Sequence, residues 1–174
     1  MSMFPIASIT IGSGGATGLS FTSIPQNFTH LQMRVFARSS TSAAGVNVPL
    51  QFNSDTGNNY ATHYLGGDGS SAFSGVLGAP TGSNNAGWVA GTTNTTNAFG
   101  CCIVDILDYT NTSKYTTVKS ISGIDSNGSG LTGLWSGVWM NTSAITQIAF
   151  SLGTSAQYST FQLYGITTSN ATGA

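Results

Sequence analysis

Apolar and polar residues alternate with a period of two along most of this chain, the spacing that puts successive side chains on opposite faces of a β-strand. The clearest case is Phe28 to Arg38, where Leu31, Met33, Val35 and Ala37 fall on one face and His30, Gln32, Arg34, Phe36 and Arg38 on the other. The same pattern predicts strands over Phe4 to Ile11, Leu19 to Ile24, Val46 to Phe52, Tyr60 to Leu65, Tyr115 to Ile121, Leu134 to Met140, Ile145 to Leu152 and Thr160 to Ile166. Phe99 to Leu107 is almost continuously apolar, which predicts a central strand covered on both sides. Turn-rich stretches such as NSDTGNN, YTNTSK and DSNGSG separate these segments. No segment carries a helical period.

The predicted fold is therefore all-β, a single domain over residues 1–174 in the form of an antiparallel double-sheet sandwich. A jelly roll accommodates this many strands best, because its chain crosses repeatedly between two sheets. An immunoglobulin-like sandwich needs fewer residues and a spaced Cys-Trp-Cys pattern that is missing here. Leu31, Met33, Val35, Ile103, Ile148 and Phe150 are the expected core. Gly66 to Thr96 breaks the alternation. Rich in Gly, Ser, Asn and Thr, it reads as a loop-rich excursion with room for a short hairpin, and its lack of charge predicts that it lies against protein. The tail after Ile166 is expected to fray or to dock on a neighbour.

Charge changes this picture most. Only 5% of the 174 residues are charged, four basic and five acidic, and glutamate is absent. Ser, Thr, Asn and Gly together supply nearly half of the chain. Long solvent-facing helices are excluded, since the residues that normally cover them are scarce. No basic patch exists to neutralise a run of phosphates, so nucleic acid is not an expected partner. An apolar share of 40% suffices for a core and argues against disorder. No window reaches the roughly 18 apolar residues of a membrane span, and the start, MSMFPI, lacks the basic and apolar regions of a signal peptide. Cys101 and Cys102 are adjacent, too close to staple a fold, and read as small buried thiols.

Candidate chemistry fails in context. Gly128 to Gly133 matches G-x-G-x-x-G, but the following LWSGVWM alternates like a strand, whereas a dinucleotide site needs a helix N-terminus there. Asp125 to Gly130 resembles the opening of a calcium loop without the closing glutamate, and reads as an Asx turn. His30 and His63 are the only imidazoles, and no serine sits in a nucleophile elbow. Asp105 and Asp108 lie three apart, on opposite faces of a strand, so they cannot form a glycosidase pair. Neither a catalytic nor a metal site is expected, and no cofactor. The remaining candidates are interface residues. Trp135 and Trp139 share a strand face, which suits an exposed anchor or, alternatively, the core. Trp88 in the polar excursion and Phe4 near the start are the other anchors.

Four segments carry a resemblance: SITI near the start, LSFTSIPQNFTHLQMRVFARSS, NNYATHYL, and AITQIAFSLGTSAQYSTFQLYGI at the end. Together they resemble the small β-rich virion proteins of tailed bacteriophages, including cyanophages. The resemblance implies a jelly-roll module serving as a capsid decoration (cement) protein, or alternatively as a tail fibre or appendage that binds host-surface glycan. It carries no catalytic residue. No coiled-coil or tail-attachment segment accompanies the module, which favours the capsid surface. The implied partners are copies of the chain itself, as a homotrimer, and the major capsid protein, with assembly in the host cytoplasm.

Overall fold

The computed structural model describes residues 2–168, residues 78–80 by their backbone. Twelve strands follow in chain order: β1 (Ser2–Thr10), β2 (Leu19–Phe21), β3 (His30–Ala37), β4 (Gly45–Phe52), β5 (Tyr60–Gly67), β6 (Ala72–Thr81), β7 (Asn84–Ala90), β8 (Gly100–Leu107), β9 (Thr116–Asp125), β10 (Gly130–Trp139), β11 (Ile148–Phe150) and β12 (Thr160–Thr167). They form an eight-stranded sheet ordered β1-β12-β3-β8-β9-β10-β5-β6 and a four-stranded sheet ordered β2-β11-β4-β7. Every strand pair is antiparallel. The protein is an all-β sandwich, as the alternation predicts.

Two hairpins, β5–β6 and β9–β10, enlarge one sheet only. Without them, each sheet keeps four strands, β1-β12-β3-β8 and β2-β11-β4-β7. The core lies between the sheets, where Leu31, Met33 and Val35 of β3 and Val104 and Ile106 of β8 face Val48, Leu50 and Phe52 of β4 and Ile148 and Phe150 of β11. Aromatic rings bridge the layers, with Phe150 stacked on Phe161 at 4.6 Å. Five of the six expected core residues are buried. Ile103 is the exception, at 42% exposed. The Phe99–Leu107 run is not covered on both sides: Cys102, Val104 and Ile106 point inward, while Cys101, Ile103 and Leu107 point to the uncovered face of the large sheet.

The two thiols thus differ. Cys102 is buried, and burial pushes its thiol well above the ordinary range, whereas Cys101 is exposed. In dilute native protein a thiol reagent is expected to modify Cys101 alone, and both cysteines once denaturant unfolds the chain. Labelling of two thiols in the native protein would contradict this.

The Gly66–Thr96 stretch contains β6 and β7 where a loop-rich excursion is expected. β7 (NNAGWVA) lacks alternation because nearly all of it is buried, with asparagines among its interior groups. The buried Thr62 hydroxyl donates to Asn84 Oδ1 at 3.2 Å, and Asn85 Oδ1 accepts the amides of Val48 and Gly87, each at 3.1 Å. These bonds pair the side-chain oxygens of both asparagines, while Nδ2 of each is buried without a hydrogen-bond partner, a cost that the rest of the interior offsets. After β7, the guanidinium of Arg38 pins the loop by donating to the carbonyls of Thr95 at 2.9 Å and Ala98 at 2.7 Å. The expectation for the tail falls mainly on residues 169–174, outside the described residues.

Candidate assembly surface

The four-stranded sheet covers one face of the eight-stranded sheet, and no element of the described chain packs on the other. On that outer face, strand register builds a single row. Arg34 on β3 stands opposite Ile103 on β8, Ile103 opposite Ile121 on β9, Ile121 opposite Leu134 on β10, and Leu134 opposite Leu65 on β5. The four aliphatic side chains are 42%, 52%, 49% and 55% exposed, in the order Ile103, Ile121, Leu134 and Leu65. Adjacent strands lie about 4.8 Å apart, so these side chains touch and form one stripe across four strands. Phe36 and Val76, 49% and 52% exposed, flank it.

The rows on either side differ in size. One runs from Phe36 on β3 through the small residues Cys101, Gly123, Thr132, Gly67 and Ala72. With Leu65, Ile121 and Leu134, members of this row line an open, largely apolar hollow of about 440 Å³. The other row holds Gln32, Asp105, Lys119, Ser136 and His63, and ends on Val76 of β6. Asp105 stands opposite Lys119 and accepts from Gln32 Nε2 at 2.9 Å. Arg34, at the end of the stripe, donates to Gln32 Oε1 at 3.2 Å and lies over the Tyr164 ring at 5.2 Å. Charge on this face therefore sits beside the apolar stripe and carries both signs.

The stripe exists because β9 inverts the usual pattern. Its inward residues include Ser120 and Ser122, while Ile121 faces out. The serines are buried because β7 crosses closely over them. Ser120 Oγ donates to the carbonyl of Ala86 at 2.7 Å, and Ser122 Oγ accepts the Trp88 amide at 3.3 Å and Trp135 Nε1 at 3.0 Å. A small hydroxyl that bonds to the crossing strand suits that space better than an isoleucine. None of Ile103, Ile121, Leu134 and Leu65 stands among the anchors expected from sequence. The available signal was two serines at alternate positions beside an isoleucine, a pattern that reads as strand in either phase.

The expected anchors lie elsewhere. Trp135 and Trp139 are 2% and 0% exposed, so the alternative of core packing describes them and neither is an exposed anchor in the chain. Trp139 stacks on Tyr60 at 6.3 Å, and its Nε1 donates to Asp55 Oδ2 at 2.8 Å. Trp88 is half-buried, edge-on to Trp135 at 4.5 Å and near Tyr64 and Phe73. Its ring lies over Gly133 and Gly66, where an added Cβ would come within 2.7 and 3.0 Å of it. Phe4 is 46% exposed on the edge strand β1, 6.0 Å from Phe28, and Met3 beside it is 41% exposed. Phe4 alone of the four presents a large free surface.

The titratable groups are dispersed. His30 and His63 share the outer face but stand four inter-strand steps apart, about 19 Å. His30 Nδ1 accepts the Asp108 amide at 3.0 Å, and the Asp108 carboxylate pairs with Lys114, whose ammonium holds it below the ordinary carboxylate range. Asp125 accepts the Asn127 amide at 3.1 Å in an Asx turn, and Gly128–Gly133 leads into strand β10. Among the described residues no three His, Cys, Asp or Glu side chains gather to hold a metal ion, and no helix is long and apolar enough to cross a membrane. Compared with known protein families, curated proteins and solved structures, this chain matches none.

Proposed function

We propose that this protein is a structural component of a tailed-phage virion, a capsid decoration protein that acts through protein–protein contacts and performs no catalysis. The observation that carries the reading is the apolar stripe of Ile103, Ile121, Leu134 and Leu65, because contiguous exposed apolar surface of this kind marks a binding surface. The strand order supports the jelly-roll form of the sandwich: with the hairpins β5–β6 and β9–β10 removed, every connection but β4 to β7 crosses between the sheets, and the two sheets take the strand orders of two interlocked Greek keys. Viral capsid domains use that architecture, although a fold by itself does not fix a function. The stripe lies largely on the added hairpins, as expected of an elaboration for assembly. A surface of Ser, Thr, Asn and Gly adds hydrogen bonds at interfaces with little desolvation of full charges. On this reading the chain assembles in the host cytoplasm with copies of itself, and the exposed edge strand β1, with Met3 and Phe4, meets the major capsid protein.

Fractionated particles test the proposal. Mass spectrometry of purified virions and of tail-less heads is expected to find the protein in both, at a copy number that scales with the capsid protein. Recovery with tails alone would replace the reading with that of a glycan-binding appendage. Absence from both preparations would overturn it.

A further inference from the structure

We infer that the outer face of the eight-stranded sheet is where two copies of this chain meet, face to face about a two-fold axis that runs along the stripe. The inference rests on the reading of the stripe as an assembly surface and names its occupant.

Area comes first. Phe36, Leu65, Val76, Ile103, Ile121 and Leu134 are each 42–55% exposed, and for side chains of their size this leaves on the order of 500 Å² of apolar surface, near the upper end for a monomer. Two such faces bury about 1,000 Å² before any polar rim is counted, which reaches the size of a specific interface.

Shape comes second. A two-fold axis along the stripe lays stripe on stripe and exchanges the two flanking rows strand by strand. Lys119 of one copy then falls over Gly123 of the other, His63 over Gly67, and Asp105 over Cys101. Long side chains meet small ones along the central strands, so the face is complementary to itself. Charge comes third. The four aliphatic members of the stripe carry none, and Asp105 and Lys119 offset each other beside it; the one like-charge contact the axis makes is Arg34 over its own copy at the end of the row, where each guanidinium is turned aside toward Gln32 and Tyr164. Like-charge repulsion between the copies is therefore confined to the Arg34 end of the row. A two-fold contact closes after two copies, which gives a dimer, or a multiple of two, in place of the trimer that the resemblance implies.

Sedimentation equilibrium of the purified chain is expected to give twice the 17.8 kDa monomer mass at micromolar concentration. Alkylation of Cys101 is expected to slow as concentration rises through the dissociation constant. The double variant Ile121→Asp with Leu134→Asp is expected to keep the native circular dichroism spectrum and to weaken the dimer by about 100-fold or more. If it fails to fold, Leu65→Asn with Ile121→Asn gives the same reading without buried charge in the interface. A wild-type monomer at about 50 micromolar, about ten times a Kd of 5 micromolar, a trimer, or a dimer that survives in the folded variant would each overturn the inference. The virion reading is judged separately, by particle fractionation: a monomer found on heads defeats the dimer alone, and a dimer absent from particles defeats the virion reading alone.

Discussion

Replacing Trp139 with alanine is expected to cost about 3–5 kcal/mol, the range for deleting a large buried aromatic side chain. The ring is fully buried, 5.5 Å from Phe52 and stacked on Tyr60 at 6.3 Å. Its indole also fixes the turn between β4 and β5. The carboxylate of Asp55 accepts from Trp139 Nε1 at 2.8 Å, from Asn59 Nδ2 at 2.9 Å and from the Gly57 amide at 2.9 Å. The indole bond is the chief cause that holds Asp55 below its ordinary pKa of 3.8, with Asn59 and Gly57 adding to it against the opposing effect of burial. A carboxylate whose folded pKa is depressed stabilises the fold above its unfolded pKa, and this contribution is lost as pH falls through the folded value. Trp139→Phe removes the donor together with the five-membered ring, so it carries a packing cost at every pH and, in addition, about 1.5–3 kcal/mol for a bond to a charged group, less the screening at a partly exposed turn; only the second part depends on pH. The deficit is expected to be full at pH 6 and to shrink below pH 3.8 to its packing part, as Asp55 is protonated in both proteins. Urea denaturation of wild type and variant between pH 2.5 and 6 measures it, and a deficit independent of pH would show that the Asp55 bond contributes nothing.

Gly100→Ala is expected to destabilise the sandwich by roughly 2–3 kcal/mol, the upper part of the usual range for overpacking. Gly100 opens β8 directly beneath β7, and a Cβ there would lie 2.6 Å from Val89 Cα and 3.0 Å from the Ala90 nitrogen. These are backbone atoms of two fully buried residues, so no side-chain rotation on β7 can make room. The two sheets would have to separate locally, loosening the Ser120 and Ser122 contacts to β7. Thermal melting with calorimetry measures the loss. An alanine variant as stable as wild type would mean that the sheets can separate without cost.

Much of the fold was legible because alternation reports burial directly. The inward residues of β3, and Ile148 and Phe150 of β11, face a single apolar layer, so apolar positions in sequence are interior positions in space. The reading weakened wherever interior contacts are polar. β7 is buried through Asn84 and Asn85, whose side-chain oxygens bond to Thr62, Val48 and Gly87, and no hydrophobicity pattern registers such a strand. On β8 both faces are apolar, so the pattern cannot tell an inward residue from an outward one, and it assigns Ile103 to the core although that side chain faces out. The assembly surface suffered most. Its members lie on four strands separated by up to about seventy positions, and only the order of those strands brings them into one row.

By itself, then, the sequence determined the class: strands throughout, one apolar layer to bury, almost no charge, and no clustering of catalytic groups within any motif. Those properties are local, set by which side chain follows which. Tertiary structure decided which sheet grows from four strands to eight, which tryptophans the interior absorbs, and that four aliphatic side chains share an uncovered face. Those depend on pairing between distant segments, where hydrogen-bond register and the second sheet's coverage select one face of each strand for the core and leave the other to solvent.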